Sequence, residues 1–196
     1  MSRIAAPASL NARGFDTYAQ LTAADYAALK AHGFDFVVRY VENLSTYEVD
    51  ACLSAGLAIM GVTIADDFNP ATTVADAKNN AGLPPGTTLF LDLEGVSLPS
   101  AALKAKCAAW ANGVKVAGYV PGVYVGAACG LTAEELWELP FVRYWKSASS
   151  VPEPAHAGFC MYQLLPCNQR IAGAEVDVDF VQQDFLGRVP TWCVSA

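Results

Sequence analysis

The chain is short of charge. Only 16% of its 196 residues are Asp, Glu, Lys or Arg, and the balance is acidic, with 12 Lys and Arg against 19 Asp and Glu and a formal net charge of −7. Without a basic surplus there is no electrostatic footprint for phosphate backbones or anionic lipid, so no nucleic-acid partner is expected. Long apolar runs are also missing. Stretches such as Ala55 to Val62 are broken by Gly, Thr and Asp well short of the roughly 20 residues that span a bilayer, and no membrane insertion is expected. Before Asn11 and Arg13 one positive charge stands without an apolar segment behind it, so no secretory signal peptide is read.

Several catalytic motifs are absent too. The two histidines, His32 and His156, lie far apart and assemble neither a Ser-His-Asp pattern nor HExxH, and there is no GxSxG elbow. No dinucleotide fingerprint or phosphate-binding glycine loop occurs. The six cysteines (52, 107, 129, 160, 167 and 193) are irregularly spaced and fit no paired CxxC zinc pattern, so no metal or organic cofactor is expected. In a domain of this size they read as reduced, partly buried thiols; Cys160 with Cys167, or either with Cys193, is the disulfide to check. Cys129 after Gly126-Ala127-Ala128 reads as a small residue in a tight turn rather than a reactive thiol.

What is present is apolar substance: 54% of residues are hydrophobic and the mean hydropathy is +0.28, enough for one core over residues 1–196. No repeat or linker divides the chain, and a monomer is expected. Eight β-rich runs recur at Arg13–Tyr18, Phe34–Val41, Leu57–Ala65, Thr88–Leu93, Tyr119–Gly126, Phe141–Lys146, Phe159–Leu164 and Ala174–Phe180. About five main helices alternate with them, at Thr22–His32, Thr46–Ala55, Thr72–Ala81, Ser100–Val116 and Thr132–Leu139, several opened by a Thr or Pro and closed by Gly. Many strands are continuously apolar, as a parallel sheet covered on both faces requires. The α/β pattern predicts a single, trimmed (β/α)8-type TIM barrel without helices between its last three strands; an open doubly wound sheet is the alternative.

In such a barrel the chemistry sits where strands end, and here they end in carboxylates: Asp16, then Asp66 and Asp67, then Asp92 and Glu94, then Asp177 and Asp179. Residues two apart on a strand share a face, which pairs Asp92 with Glu94 and Asp177 with Asp179. Clustered carboxylates hold one another's protons, and glycoside hydrolysis needs an acid for the leaving oxygen with a second negative group near the anomeric carbon. Arg39 closes the run Phe36-Val37-Val38 and is expected to pair with this cluster, or else to cover the rim with its stem. Tyr18, Tyr124 and Trp145 are candidates for sugar contact. Two other chemistries fit the same residues: a silent carbohydrate-binding barrel, and metal-assisted phosphoester or isomerase chemistry through Asp16, Asp92, Glu94 and Asp177.

The segments Gly14-Phe15-Asp16-Thr17, Phe36-Val37-Val38-Arg39-Tyr40, Leu91-Asp92-Leu93-Glu94, Gly122-Val123-Tyr124-Val125, Tyr144-Trp145, Tyr162-Gln163 and Val176-Asp177 run across nearly the whole chain. Together they resemble the bacterial glycoside-hydrolase-like barrel family known as a domain of unknown function, itself similar to the lysozyme-type muramidases of glycoside hydrolase family 25. The resemblance implies a barrel that acts on peptidoglycan, cleaving the β-1,4 bond between N-acetylmuramic acid and N-acetylglucosamine. It implies Glu94 as proton donor, Asp92 as the residue that stabilises charge or assists the substrate acetamido group, and Asp16 as the third member. Asp177, Arg39, Tyr124, Trp145, Tyr18, Asp66 and Gln163 are then substrate-binding candidates. Two departures stand out: Asp16 is followed by Thr17-Tyr18 rather than serine and an aromatic, and Asp179 stands where muramidases often carry Asn. A cytoplasmic product delivered to the wall by a holin or a secretion system would fit the missing signal peptide.

Overall fold

A computed structural model describes residues 2–66 and 68–196; Asp67, one of the expected strand-end carboxylates, lies outside the described residues. In chain order the elements are β1 (Arg3–Pro7), β2 (Arg13–Thr17), α1 (Ala23–Ala31), β3 (Phe36–Tyr40), α2 (Thr46–Ser54), β4 (Ala58–Ile64), α3 (Pro70–Ala75), β5 (Thr88–Asp92), α4 (Ser100–Val116), β6 (Val120–Val125), α5 (Ala133–Glu138), β7 (Arg143–Lys146), β8 (Met161–Ile171), β9 (Ala174–Val181) and β10 (Thr191–Ser195).

Local chemistry starts the helices where the sequence indicates. Thr22 and Thr132 each form a capping box, with Asp25 and Glu135 respectively, and Ser45 caps α2 through the Glu48 N–H. Helix α3 begins earlier than the Thr72 start the sequence suggests, because Asn69 caps it and Pro70 supplies a preset first turn; it then widens into a π-helical turn over Asp76–Asn80.

Strands β2 to β8 pair in chain order as parallel neighbours, and β9 closes the ring between β8 and β2. The closed eight-stranded barrel is the expected fold, with one correction. β9 runs antiparallel to both neighbours, so its amino end, not its carboxyl end, reaches the mouth. The turn Ala172-Gly173 between β8 and β9 is too short for a crossover and makes a hairpin. Asp177 therefore sits higher than Asp179, opposite Asp16, while Asp179 lies deeper, opposite Gly14.

β1 and β10 are additional to the eight strands of the ring. They pair antiparallel from Arg3↔Ser195 to Pro7↔Thr191, and β10 joins β4 only at Cys193↔Ile59, below the point where β5 takes over that edge at Gly61↔Leu89. Trp192 packs its ring 5.8 Å from that of Phe36 and closes the floor of the barrel.

The period-two alternation of each strand creates two cores. Outward residues such as Phe15, Val37, Ile59, Leu89 and Val123 pack with Leu29, Val49 and Trp110 from the helices. Inward residues Phe36, Val38, Met60, Val62, Phe90, Trp145 and Met161 fill the lumen. Each such side chain contributes roughly 1.5–3 kcal/mol on leaving water. All six cysteines are free, so Cys160, Cys167 and Cys193 are not joined. Among the described residues no helix is long and apolar enough to cross a membrane.

Candidate active site

The inward positions at the mouth are polar: Asp16 on β2, Tyr40 on β3, Asp92 and Glu94 on and after β5, Tyr124 on β6, Gln163 on β8, and Asp177 and Asp179 on β9. Three adjoining clefts surround them. One of about 220 Å³ is lined by Asp16, Tyr18, Tyr40 and Asp177. A second, of about 300 Å³, shares Asp16, Tyr40 and Asp177 and extends to Glu94, Tyr124 and Gln163. A third, of about 320 Å³, lies beyond Glu94 and includes Asp66 and Asp92. A larger hollow of about 510 Å³ lies at the opposite end, around Trp192, and contains none of these groups.

Gln163 organises the centre. Its Oε1 accepts from the Tyr124 hydroxyl at 3.0 Å and the Ala148 N–H at 3.2 Å. The Ala148 N–H can only donate, so the amide is oriented with its Nε2 toward the carboxylates. There it donates to Asp16 Oδ2 at 3.0 Å and Asp177 Oδ2 at 3.1 Å; Asp177 Oδ1 also accepts from the Asn168 N–H. Burial pushes the Asp16 carboxyl up to about 7, a rise the Gln163 hydrogen bond opposes and the Asp177 charge reinforces.

Asp92 is half-buried under Glu94. Its Oδ1 accepts from the Glu94 N–H at 2.8 Å and its Oδ2 from the Tyr40 hydroxyl at 3.1 Å. Burial raises it to about 6 against the pull of those two donors, with the Glu94 and Glu42 charges adding to the rise. Glu94 is exposed in the groove, and its Oε1 lies 3.4 Å from the Ala127 N–H. Glycine at 126 makes this placement possible, because a Cβ there would lie 2.4 Å from the Cβ of Glu94 and 2.7 Å from its Cα. Neither neighbour is the free end of a flexible side chain. Gly126→Ala is therefore expected to displace Glu94 and lower any Glu94-dependent turnover at least tenfold, while costing about 1–3 kcal/mol of stability; kinetics with a parallel melting curve would separate the two effects.

The structure brings Asp16, Asp92, Glu94, Asp177, Tyr124 and Gln163 together, sets Tyr18, Asp66 and Trp145 in the lining of the same clefts, and places Arg39 elsewhere. Arg39 is a correction. It shares strand parity with Val37, so it points out of the barrel and is fully buried among the helices. Its Nε donates to Glu48 Oε1 at 2.9 Å and its Nη1 to the Thr17 carbonyl. Its carboxylate partner thus comes from α2, not from the cluster, and it touches no groove. Glu48 Oε1 also accepts from the Tyr26 hydroxyl at 2.8 Å.

Trp145 lines the second cleft with little of its surface: it is 2% exposed, its ring lies against Phe90 and Tyr124, and its Nε1 donates to Asp179 at 2.9 Å. Tyr18 is 58% exposed at the rim with its ring edge-on to Tyr40 at 5.1 Å. Asp66 is exposed in the cleft beyond Glu94. Tyr40 and Asn168 join the site without having been singled out; Tyr40 shares strand parity with Val38, which the closed barrel turns inward. Among the described residues no group of three or more His, Cys, Asp or Glu side chains is placed to hold a metal ion.

A closed barrel with one reversed strand and an acidic mouth is a glycoside-hydrolase-like architecture. The chain belongs to the family described as Rv2525c-like, glycoside hydrolase-like domain, whose model matches residues 27–163. That stretch contains Asp92, Glu94, Tyr124 and Gln163, while Asp16 and Asp177 lie outside it. No curated protein matches the chain. Solved structures share the fold at low identity. A muramidase from Acremonium alcalophilum is 13% identical, with 88% of this chain and 94% of that one covered and a TM-score of 0.64. A bacterial lysozyme from Streptomyces coelicolor is 12% identical, covering 89% and 94%, with a TM-score of 0.62. GHIP, a glycosyl hydrolase 25 and virulence factor of Streptococcus pneumoniae, is 12% identical, covering 87% of each, with a TM-score of 0.59.

Proposed function

We propose that this protein hydrolyses the glycan of bacterial peptidoglycan as a muramidase, with Glu94 as the proton donor. The observation that carries the proposal is the pair at the end of β5: Glu94 exposed in the groove, with Asp92 held beneath it by the Glu94 N–H and the Tyr40 hydroxyl. Glu94 protonates the glycosidic oxygen as the bond breaks. Asp92, ionised, stabilises positive charge at the anomeric carbon or orients the substrate acetamido group. Asp16, Gln163 and Asp177 bind the sugar from the opposite side of the groove, and Tyr18 offers an open ring face to it. A wall substrate requires passage across the membrane, for which a holin or a secretion system is the proposed route.

The pH dependence follows from Asp92. With its carboxyl raised to about 6, it keeps its proton to higher pH than an ordinary Asp near 4. The neutral form cannot stabilise the cation, so turnover is expected to fall as the pH drops through about 6. Tyr40→Phe removes a donor that favours the ionised form, and should move that acid limb further upward.

The test is digestion of purified peptidoglycan with mass spectrometry of the fragments. Reducing N-acetylmuramic acid ends are expected. Reducing N-acetylglucosamine ends would assign the other β-1,4 bond, and binding to sacculi without release would overturn hydrolysis in favour of a carbohydrate-binding barrel.

A further inference from the structure

Asp179 is a carboxylate of the mouth cluster for which the proposed reaction has no use. It is 0% exposed. Its Oδ1 accepts from Trp145 Nε1 at 2.9 Å, but among the described residues no N–H or O–H reaches its Oδ2. Asp16 and Asp179 project into the lumen from adjacent strands, one pair apart in the register Gly14↔Asp179 and Asp16↔Asp177, and the two carboxyl groups interact directly. Two ionised carboxylates are both acceptors and cannot hydrogen-bond to each other, and a buried oxygen with neither water nor donor is costly. One proton placed between the two groups satisfies both.

The position of that proton is set by the surroundings. Asp16 already accepts from Gln163, whose orientation the Ala148 N–H fixes, so Asp16 is built as the acceptor. Asp179 has only the indole, and lies a layer deeper.

We propose that Asp179 is a resident carboxylic acid, protonated through the neutral range, which donates a hydrogen bond to Asp16 and so acts as a positioning residue that fixes the orientation and charge of Asp16. The titratable groups that face it are Asp16 from β2, Asp177 on its own strand and Tyr124 from β6. Trp145 from β7 does not titrate, and Asp92 from β5 acts on the pair through Asp16. No cation stands among them, so nothing in the pocket favours a second negative charge. The acid and its indole donor form a floor on which Asp16, Gln163 and Asp177 present a fixed row of acceptors and donors to the groove.

The consequence for the proposed hydrolysis rests on Asp16 contacting substrate, but the test does not. Infrared spectra of the wild-type protein near pH 8 should contain the C=O stretch of a protonated carboxylic acid, which ordinary carboxyl groups have lost by then. The band should disappear in Asp179→Asn. Carboxyl-carbon NMR then follows the titration of Asp16. Asp179→Asn keeps a donor through its amide and should leave the Asp16 midpoint nearly unchanged, whereas Asp179→Leu removes the donor and should raise it by about one pH unit. Absence of the acid band in the wild type near pH 8 would overturn the proposal regardless of how any variant folds. So would equal midpoints in Asp179→Asn and Asp179→Leu, the result expected if Asp179 only fills space. Failure to cleave any glycan, with the acid band present, would instead sink the muramidase proposal and leave this one standing.

Discussion

Replacing Glu94 by glutamine is expected to lower glycan hydrolysis about a thousandfold, within the range by which a positioned general acid accelerates proton transfer, while leaving glycan affinity within about threefold. The side chain is exposed and keeps its shape as an amide, so its contact with the Ala127 N–H survives and no buried group is orphaned. Stability should change by less than about 0.5 kcal/mol, as for other surface substitutions. The loss would therefore fall on kcat with KM nearly unchanged, the pattern of an interaction made in the transition state. Steady-state kinetics on solubilised glycan, with calorimetric binding of the same glycan, checks both halves. A kcat that falls less than about tenfold would move the proton donor elsewhere, with Asp92 as the next group to replace.

The second large effect is on stability and lies outside the groove. Glu48→Ala removes the only ion-pair partner of Arg39 among the described residues, leaving a guanidinium buried without a counter-charge. Breaking such a pair from one side costs about 3–5 kcal/mol, against a total stability of about 5–15 kcal/mol for a domain. For a chain of this length the melting temperature is expected to fall by roughly 10 °C or more. Tyr26 loses its acceptor in the same variant. Replacing both charges with apolar residues of similar volume, Arg39→Met with Glu48→Leu, should recover most of the loss, because the desolvation cost disappears with the charge. A double-mutant cycle by chemical denaturation measures the difference. If Glu48→Ala melts within about 2 °C of the wild type, water reaches Arg39 and the site is not dry.

The eight barrel strands and five helices were legible because local signals agreed with tertiary ones. Continuous apolar runs marked β3 and β4, and the threonines that open Thr22–His32 and Thr132–Leu139 are caps in the structure. β1 and β10 were not, since Arg3–Pro7 is half-exposed, alanine-rich and ends in proline, and each strand is specified mainly by the other. The facing of Arg39 was hidden for a different reason: Phe36-Val37-Val38-Arg39-Tyr40 is apolar on both faces, so the strand carries no alternation to show which parity is the lumen. Only closure of the barrel decides that Val37 and Arg39 face the helices while Val38 and Tyr40 face inward. Asp92 and Glu94 were recognisable because two carboxylates on one face of an apolar strand are costly without a use. The depth of Asp179 required the direction of β9, for which the short Ala172-Gly173 turn was the available clue.

That turn also divides the groove into a rigid part and an adjustable one. Five strands, β2 to β6, reach the mouth and lead into packed helices, and a sixth, β7, leads to the neighbouring parallel strand β8. The wall carrying Asp177 is a hairpin, paired from Gln169↔Val176 to Ile171↔Ala174 beyond a register shift between Leu164 and Gln169, and its end leans on the helix-facing core through Ile171, Ala172 and Ala174. Residues added in multiples of two pairs at the 172–173 end would lengthen the overhang and extend that wall of the groove. The inward parity of Asp177 and Asp179 would be preserved by the pairing nearer the barrel. A single-residue slip in β9 would instead turn Val176 and Val178 into the groove. A longer tip would change reach by degrees, whereas the register beneath it admits no intermediate.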